Sequence, residues 1–171
     1  MFSKLKYYIL LELDMWFLHF LKCIPGFTGC FLRRFFFKLS GPQNFMIWDG
    51  VTIEYRGNLR LGNNVSINRG SVLNCAGGID IGDNVLIGPR ALIYSQNHNF
   101  ISRSLLISEQ GYSRSKVVIE SDVWIAADVK IMPGVTIQKG SVIAAGSVVT
   151  KSTDEYGIYA GVPAKKISER Q

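Results

Sequence analysis

From Ile47 onward, branched aliphatic residues recur at a nearly constant interval. They are Ile47, Ile53, Leu61, Ile67, Leu73, Ile81, Ile87 and Ile93, then Ile119, Ile125, Ile131, Ile137, Ile143 and Val149. Most steps are six residues long. Four positions after each, a small or β-branched residue often follows, as at Val51, Val65, Ser71, Val85, Ala91, Val123, Val129, Val135, Ser141 and Ser147. Turn segments such as LGNN, IGDN, IGPR, MPGV and QKGS lie between. Self-similarity at a fixed period predicts a repeat architecture. Six residues make one short strand and a corner, so three units close a triangular coil of about eighteen residues. The aliphatic residue of each strand points inward and stacks on its equivalent in the next coil. Stacking buries one continuous core in which each coil contacts only its neighbours. The expected fold class is therefore an all-β solenoid.

Interruptions of the period mark one edge of this prism. Ile53 to Leu61 and Leu73 to Ile81 are eight-residue steps, and Ile93 to Ile119 is a step of 26. Positions 53, 73 and 93 lie one coil apart, so all three insertions leave from the same corner. The longest, spanning about residues 97–117, contains His98 within YSQNHNF. A loop of this length in a compact domain is usually functional or disordered.

Before residue 43 the period changes to that of a helix. In LKYYILLELDMWFLHFLK (5–22), Ile9, Leu10, Leu13, Trp16, Phe17, Phe20 and Leu21 recur at helical spacing, with Glu12, Met15, His19 and Lys22 on the narrower opposite side. IPGFTG breaks this helix through Pro25 and Gly26. A second short helix is expected in CFLRRFFFKL, with Arg34 and Lys38 four apart. Residues 1–42 thus read as an amphipathic helical segment and 43–171 as the solenoid domain.

Charge changes the picture of that segment. The chain carries a net +6, and residues 1–40 hold Lys4, Lys6, Lys22, Arg33, Arg34 and Lys38 against only Glu12 and Asp14. They also hold 11 of the 20 aromatic residues. Two readings fit: a helical cap on the solenoid, or a basic, aromatic in-plane anchor at an anionic membrane surface. A protein interface would also hide these side chains. The apolar run is too interrupted by charge for a spanning helix and lacks the cleavage site of a secretory signal. Cys23, Cys30 and Cys75 make neither a disulfide framework nor a zinc spacing, which favours a reducing, cytoplasmic setting. No Cys/His cluster, nucleotide-binding GxxxxGK[ST] loop or Ser-His-Asp set is found, so no metal is expected. Basic charge interleaved with apolar surface argues against nucleic acid as a partner.

LGNNVS, IGDNVLIGPRALI, SDVWIAADVKIMPGVTI, GSVIAAGSVVTK and AGVPAKKI resemble the hexapeptide-repeat O-acetyltransferases. The resemblance is greatest to the maltose and galactoside acetyltransferases and to those acting on bacterial polysaccharides, and it runs from about residue 45 to 168. It implies a left-handed parallel β-helix with a short C-terminal helix, usually a homotrimer that uses acetyl-CoA. The left hand comes from the resemblance alone, since parallel crossovers are nearly always right-handed.

In that family a histidine at the mouth of the extended loop is the general base, and the matching position here is His98. Histidine, with an ordinary pKa of about 6.5, is neutral yet basic enough to take a sugar hydroxyl's proton. Positioned proton transfer of this kind contributes about 10²–10⁴ in rate. The family's oxyanion donor is a backbone N–H two residues after the WI pair, which is Ala127 in WIAA. By resemblance Trp124, Ala127, Ala145, Thr150 and Lys151 line the acetyl-CoA groove, and Lys165 and Lys166 meet the CoA phosphates. Two departures stand out. Val72 occupies a position where the sugar acetyltransferases carry asparagine, and residues 1–40 are far more apolar and aromatic.

The spacing places His98 beyond the strand of Ile93 and Ala127 beyond that of Ile125, which stacks on Ile87. The two groups then sit on different corners, roughly 13 Å apart for four strand residues. A site shared between subunits of a trimer is expected. The combined reading is an acetyl-CoA-dependent O-acetyltransferase for a sugar hydroxyl, of a cell-surface polysaccharide or its lipid-linked precursor, working in the cytoplasm at the inner membrane face. The alternatives are the same chemistry on a soluble sugar, nucleotide-sugar or xenobiotic, and a non-catalytic assembly module.

Overall fold

The structure is a computed structural model and describes residues 2–37, 39, 41, 42 and 44–171, with side chains from Tyr8 onward apart from Leu11. Lys38, paired with Arg34 in the sequence reading, lies outside the described residues. Helix α1 spans Phe2–Cys23 and α2 spans Gly26–Phe36. The solenoid follows, and its strands stack in parallel on three faces.

Face one carries β1 (Phe45–Ile47), β4 (Val65–Ile67), β7 (Leu86–Ile87), β12 (Trp124–Ile125), β15 (Val142–Ile143) and β17 (Gly157–Gly161). Face two carries β2 (Thr52–Glu54), β5 (Val72–Asn74), β8 (Leu92–Tyr94), β13 (Lys130–Ile131) and β16 (Val148–Val149). Face three carries β3 (Leu59–Leu61), β6 (Ile79–Ile81), β11 (Val117–Ile119) and β14 (Thr136–Ile137). The registers are those the six-residue period predicts: Ile125 stands on Ile87, and Ile93 stands between Leu73 and Ile131. Ile47, Ile67, Ile87, Ile93, Ile119, Ile125, Ile131 and Ile137 are all buried in one cluster. Burying an aliphatic side chain of this size contributes about 1.5–3 kcal/mol, so the stack itself supplies the driving force for the prism.

The helices extend this core. Leu21, Phe37 and Leu39 join the same buried cluster and close its N-terminal end. α1 lies on the prism with the side that carries Leu18, Leu21 and Lys22. Gly50 donates its N–H to the Lys22 carbonyl at 2.9 Å, the Lys22 ammonium donates to Thr52 Oγ1 at 3.1 Å, and Asp14 pairs with Arg56 at 3.5 Å. The wide apolar side, with Leu13, Trp16 and Phe20, faces outward. α2 begins four residues earlier than CFLRRFFFKL suggested. Pro25 sits at its N-cap, so GFTG forms its first turn instead of a break.

Arg33 is completely buried and ties the cap together. Its guanidinium donates to the carbonyls of Ile47, Leu21 and Ile24, each at 2.7 Å. Two of these carbonyls belong to the end of α1 and the turn after it, where helical acceptors lack intrahelical donors. Cation-to-carbonyl bonds of this kind offset the desolvation of the charge.

One expectation is corrected. The short C-terminal helix is absent. Ala164–Glu169 instead form strand β18, antiparallel to β17. The last face-one strand presents an unpaired row of N–H and C=O groups that must find partners. β18 supplies them, and the turn at Val162-Pro163 brings Ala164–Glu169 back along β17.

Candidate active site

The corner between faces one and two repeats in every coil with the same backbone. Gly50, Gly70, Arg90, Asp128 and Gly146 occupy its left-handed position, with φ between 56° and 74°. The residue before each differs in what becomes of its N–H. Arg69 donates to Asn68 Oδ1 at 2.9 Å, and Pro89 has no N–H to give. Ala127 and Ala145 follow alanines, which offer no side-chain acceptor. No acceptor among the described residues takes either N–H. The two alanines are stacked, since Gly146 donates to the Ala127 carbonyl at 2.9 Å. Adjacent coils lie about 4.8 Å apart, so this corner presents two neighbouring open donors.

Packing holds that corner rigid. A Cβ on Gly88 would meet the Ala126 carbonyl carbon at 2.6 Å and the Ala127 nitrogen at 2.7 Å, so only glycine lets the coils close here. Arg90 forms two hydrogen bonds to Asp128, at 2.7 and 2.6 Å. Those bonds hold the Asp128 carboxyl below its ordinary range and raise the Arg90 guanidinium. Trp124 lies half exposed on face one, in register with Leu86 and Val142.

His98 stands at another corner, between faces two and three. The long insertion is an ordered hairpin: β9 (Gln96–His98) pairs antiparallel with β10 (Tyr112–Arg114). His98 is opposite Tyr112, and their rings pack with centroids 4.2 Å apart. The imidazole is exposed, with no hydrogen-bond partner among the described residues. Sequence reasoning missed the residues that hold this flap. Buried Ser95 donates to the Asn74 carbonyl at 2.7 Å and accepts from Gly77 N–H at 2.8 Å, anchoring the base to the neighbouring insertion. Gln110 donates to the carbonyls of Ser102 and Leu105 and knits the tip. Their signal was weak, because both are ordinary polar residues whose partners are distant carbonyls. Cys75, close by, takes no nucleophilic part: burial, reinforced by Glu54, pushes its thiol up to about 12.

The expected site residues therefore fall into groups. Trp124, Ala127 and Ala145 gather along face one and the corner it shares with face two. Thr150 and Lys151 follow β16 at the end of face two, both exposed. Lys165 and Lys166 lie on β18, which prolongs face one. Lys166 is committed to Asp154, at 3.1 Å, and to Glu169, and these partners raise its ammonium pKa, Glu169 more than Asp154. Lys165 and Lys151 have no carboxylate partner among the described residues. Within one chain, His98 and Ala127 occupy different corners of the prism.

Six-residue steps, a single long flap and an open N–H corner define a hexapeptide-repeat solenoid of the transferase type. Comparison with known proteins agrees. The family profile described as bacterial transferase hexapeptide (six repeats) matches residues 116–151. A hexapeptide-repeat acetyltransferase of Vibrio cholerae, solved with acetyl-CoA, is 33% identical with a TM-score of 0.72, covering 81% of this chain and 74% of that one. A maltose O-acetyltransferase of Clostridium difficile 630 is 31% identical with a TM-score of 0.69, covering 78% and 70%. A probable acetyltransferase of Mycobacterium tuberculosis is 36% identical over 126 residues, which are 73% of this chain and 42% of the relative. The chain thus spans about two fifths of that curated relative. The chain belongs to the hexapeptide-repeat acetyltransferase family, whose solenoid is the left-handed parallel β-helix.

Proposed function

We propose that this chain is an acetyl-CoA-dependent O-acetyltransferase acting on a sugar hydroxyl. The observation that carries the reading is the pair of open N–H groups at Ala127 and Ala145. They suit an acyl donor whose thioester carbonyl becomes an oxyanion and whose pantetheine arm bears amide carbonyls. In the proposed reaction His98 removes the proton of the acceptor hydroxyl as its oxygen attacks the thioester carbon. The Ala127 N–H donates to the tetrahedral oxyanion, a contribution of about 10²–10³ in rate for one such donor. Collapse breaks the C–S bond, and the imidazolium returns its proton to the departing thiolate of CoA. Trp124 borders the pantetheine groove, and Thr150 and Lys151 extend it. Lys165 and Lys151 are better suited to the CoA phosphates than Lys166, whose charge Asp154 and Glu169 already meet.

The reading includes a homotrimer, because His98 of one subunit and Ala127 of the next would complete each site. The acceptor is assigned to a cell-surface polysaccharide or its lipid-linked precursor, modified in the cytoplasm. Gln96, Asn97, Asn99 and Ser113 make the flap amide- and hydroxyl-rich, which fits a saccharide. Val72, where the maltose-type enzymes carry asparagine, favours an acceptor other than theirs.

The test uses release of CoA thiol with a saccharide acceptor. His98→Ala lowers kcat by about 10²–10⁴. Ala127→Pro removes the proposed donor while keeping the fold, because Pro89 already occupies the same corner position one coil earlier. It lowers kcat by about 10²–10³. Each variant alone keeps no more than about 1% of wild-type turnover, but a co-refolded equal mixture of the two recovers about a quarter of wild-type activity if sites form between neighbours in a closed ring. Unchanged turnover in His98→Ala refutes the catalytic reading, and no recovery in the mixture refutes the shared site.

A further inference from the structure

The outer side of the helical cap is apolar and aromatic, and apart from Phe27, which packs against Trp48 at 5.6 Å, it is uncovered by the prism among the described residues. Trp16 and Phe20 on α1 are 70% and 66% exposed, and Phe27 and Phe35 on α2 are 74% and 68% exposed. The two helices form one surface, since Phe17 meets Phe36 edge-on at 5.1 Å and Phe36 meets Phe35 at 5.0 Å. Part of the polar side of α1 is already engaged with the prism. Lys22 bonds Thr52 and Asp14 pairs with Arg56, so rotating the helix to bury its aromatics would strand both groups. A contiguous apolar surface of this kind marks an interaction site.

Charge decides among occupants. Arg34 lies over the Phe31 ring at 5.7 Å, a cation held at the rim of the aromatic surface. Of the segment's six Lys and Arg, Arg33 is buried and Lys22 bonds the prism, which leaves Lys4, Lys6, Arg34 and Lys38 in the sequence against Glu12, since Asp14 is paired with Arg56. A second copy of the segment would bring two segments of net positive charge together. An anionic lipid headgroup layer would neutralise it while the aromatic rings enter the boundary below the headgroups. Helices of this composition lie in the membrane plane; among the described residues no helix is long and apolar enough to cross.

We infer that the outer face of α1 and α2 is a docking surface for an anionic lipid bilayer, which holds the enzyme flat on the membrane through Trp16, Phe20, Phe35 and Arg34. The inference stands apart from the acetyl-transfer reading and concerns the partner of the cap, not the chemistry of the corner. The test is flotation of the full chain with phosphatidylcholine vesicles, with and without about 30 mol% phosphatidylglycerol, at low and high salt. The chain floats with the anionic vesicles at low salt and at least tenfold less with the neutral ones. Trp16→Ser/Phe20→Ser/Phe35→Ser lowers partitioning by about 100-fold or more, with CoA release on a soluble saccharide unchanged. Arg34→Glu lowers it about fivefold or more. His98→Ala floats as the wild type does, so loss of catalysis and loss of docking are separable. A chain that stays in solution with anionic vesicles, or a triple variant that floats undiminished, overturns the inference. So does a triple variant that changes the assembled mass by light scattering, which would assign the face to contacts between copies.

Discussion

The prism and its helical cap treat apolar side chains in opposite ways. In the prism the branched aliphatics of the six-residue phase turn inward, because a closed triangular coil has only one interior. In α1 most of the aliphatic and aromatic residues turn outward, and the helix docks through Leu18, Leu21 and Lys22. A helix has no interior of its own. Its periodicity tells which residues share a side, while the neighbour decides which side is covered. Apolar periodicity thus signals burial in one region of the molecule and an outward-facing apolar surface in the other.

Substitutions can break or sharpen this contrast. The largest effect is expected in the stack: Ile125→Ala removes a fully buried side chain between Ile87 and Ile143 and lowers stability by about 4 kcal/mol in urea denaturation. Next comes the joint between the two regions. Arg33→Met leaves the carbonyls of Ile24 and Ile47 without their donor and that of Leu21 with only the long bond from Ile24 N–H, and costs about 3 kcal/mol. Hydrogen exchange then quickens in α1 and α2 before it does in the coils, since the cap loosens first. The smallest effect belongs to the outward face. Phe20→Ser changes stability by no more than about 0.5 kcal/mol, as for other surface positions. If Phe20→Ser proved as costly as Ile125→Ala, the outward face would be packed against something, and the contrast between the regions would fail.

Much of the prism was legible because its geometry leaves little choice. Each inward position must be aliphatic to stack, so the phase of six survives from Ile47 to Val149, and the breaks in that phase mark the insertion corner and the flap with His98. The C-terminal hairpin was not legible. Adjacent lysines in AKKISE obscure strand alternation, and what makes them a strand is the open edge of β17, a fact of the assembled sheet. Arg33 hides for a related reason: an arginine in an amphipathic helix reads as a solvated charge until three carbonyls are seen around it. The open corner lay between these cases. Paired alanines at 126–127 and 144–145, set against Asn68-Arg69 and Gly88-Pro89, already distinguish free N–H groups from filled ones once the coils are aligned.

The antiparallel strand β18 has a consequence for growth. A solenoid of parallel strands has, in principle, no natural length, since its terminal coil is a template for the next. On face one this chain reverses direction at its last strand and studs the outer rim with Lys165, Lys166 and Glu169, while α2 packs beside β1 at the opposite end. A strand running the wrong way cannot seed another coil in register, and its charges repel a stray edge. The same hairpin that ends the sheet therefore keeps a fibre-like architecture from becoming a fibre.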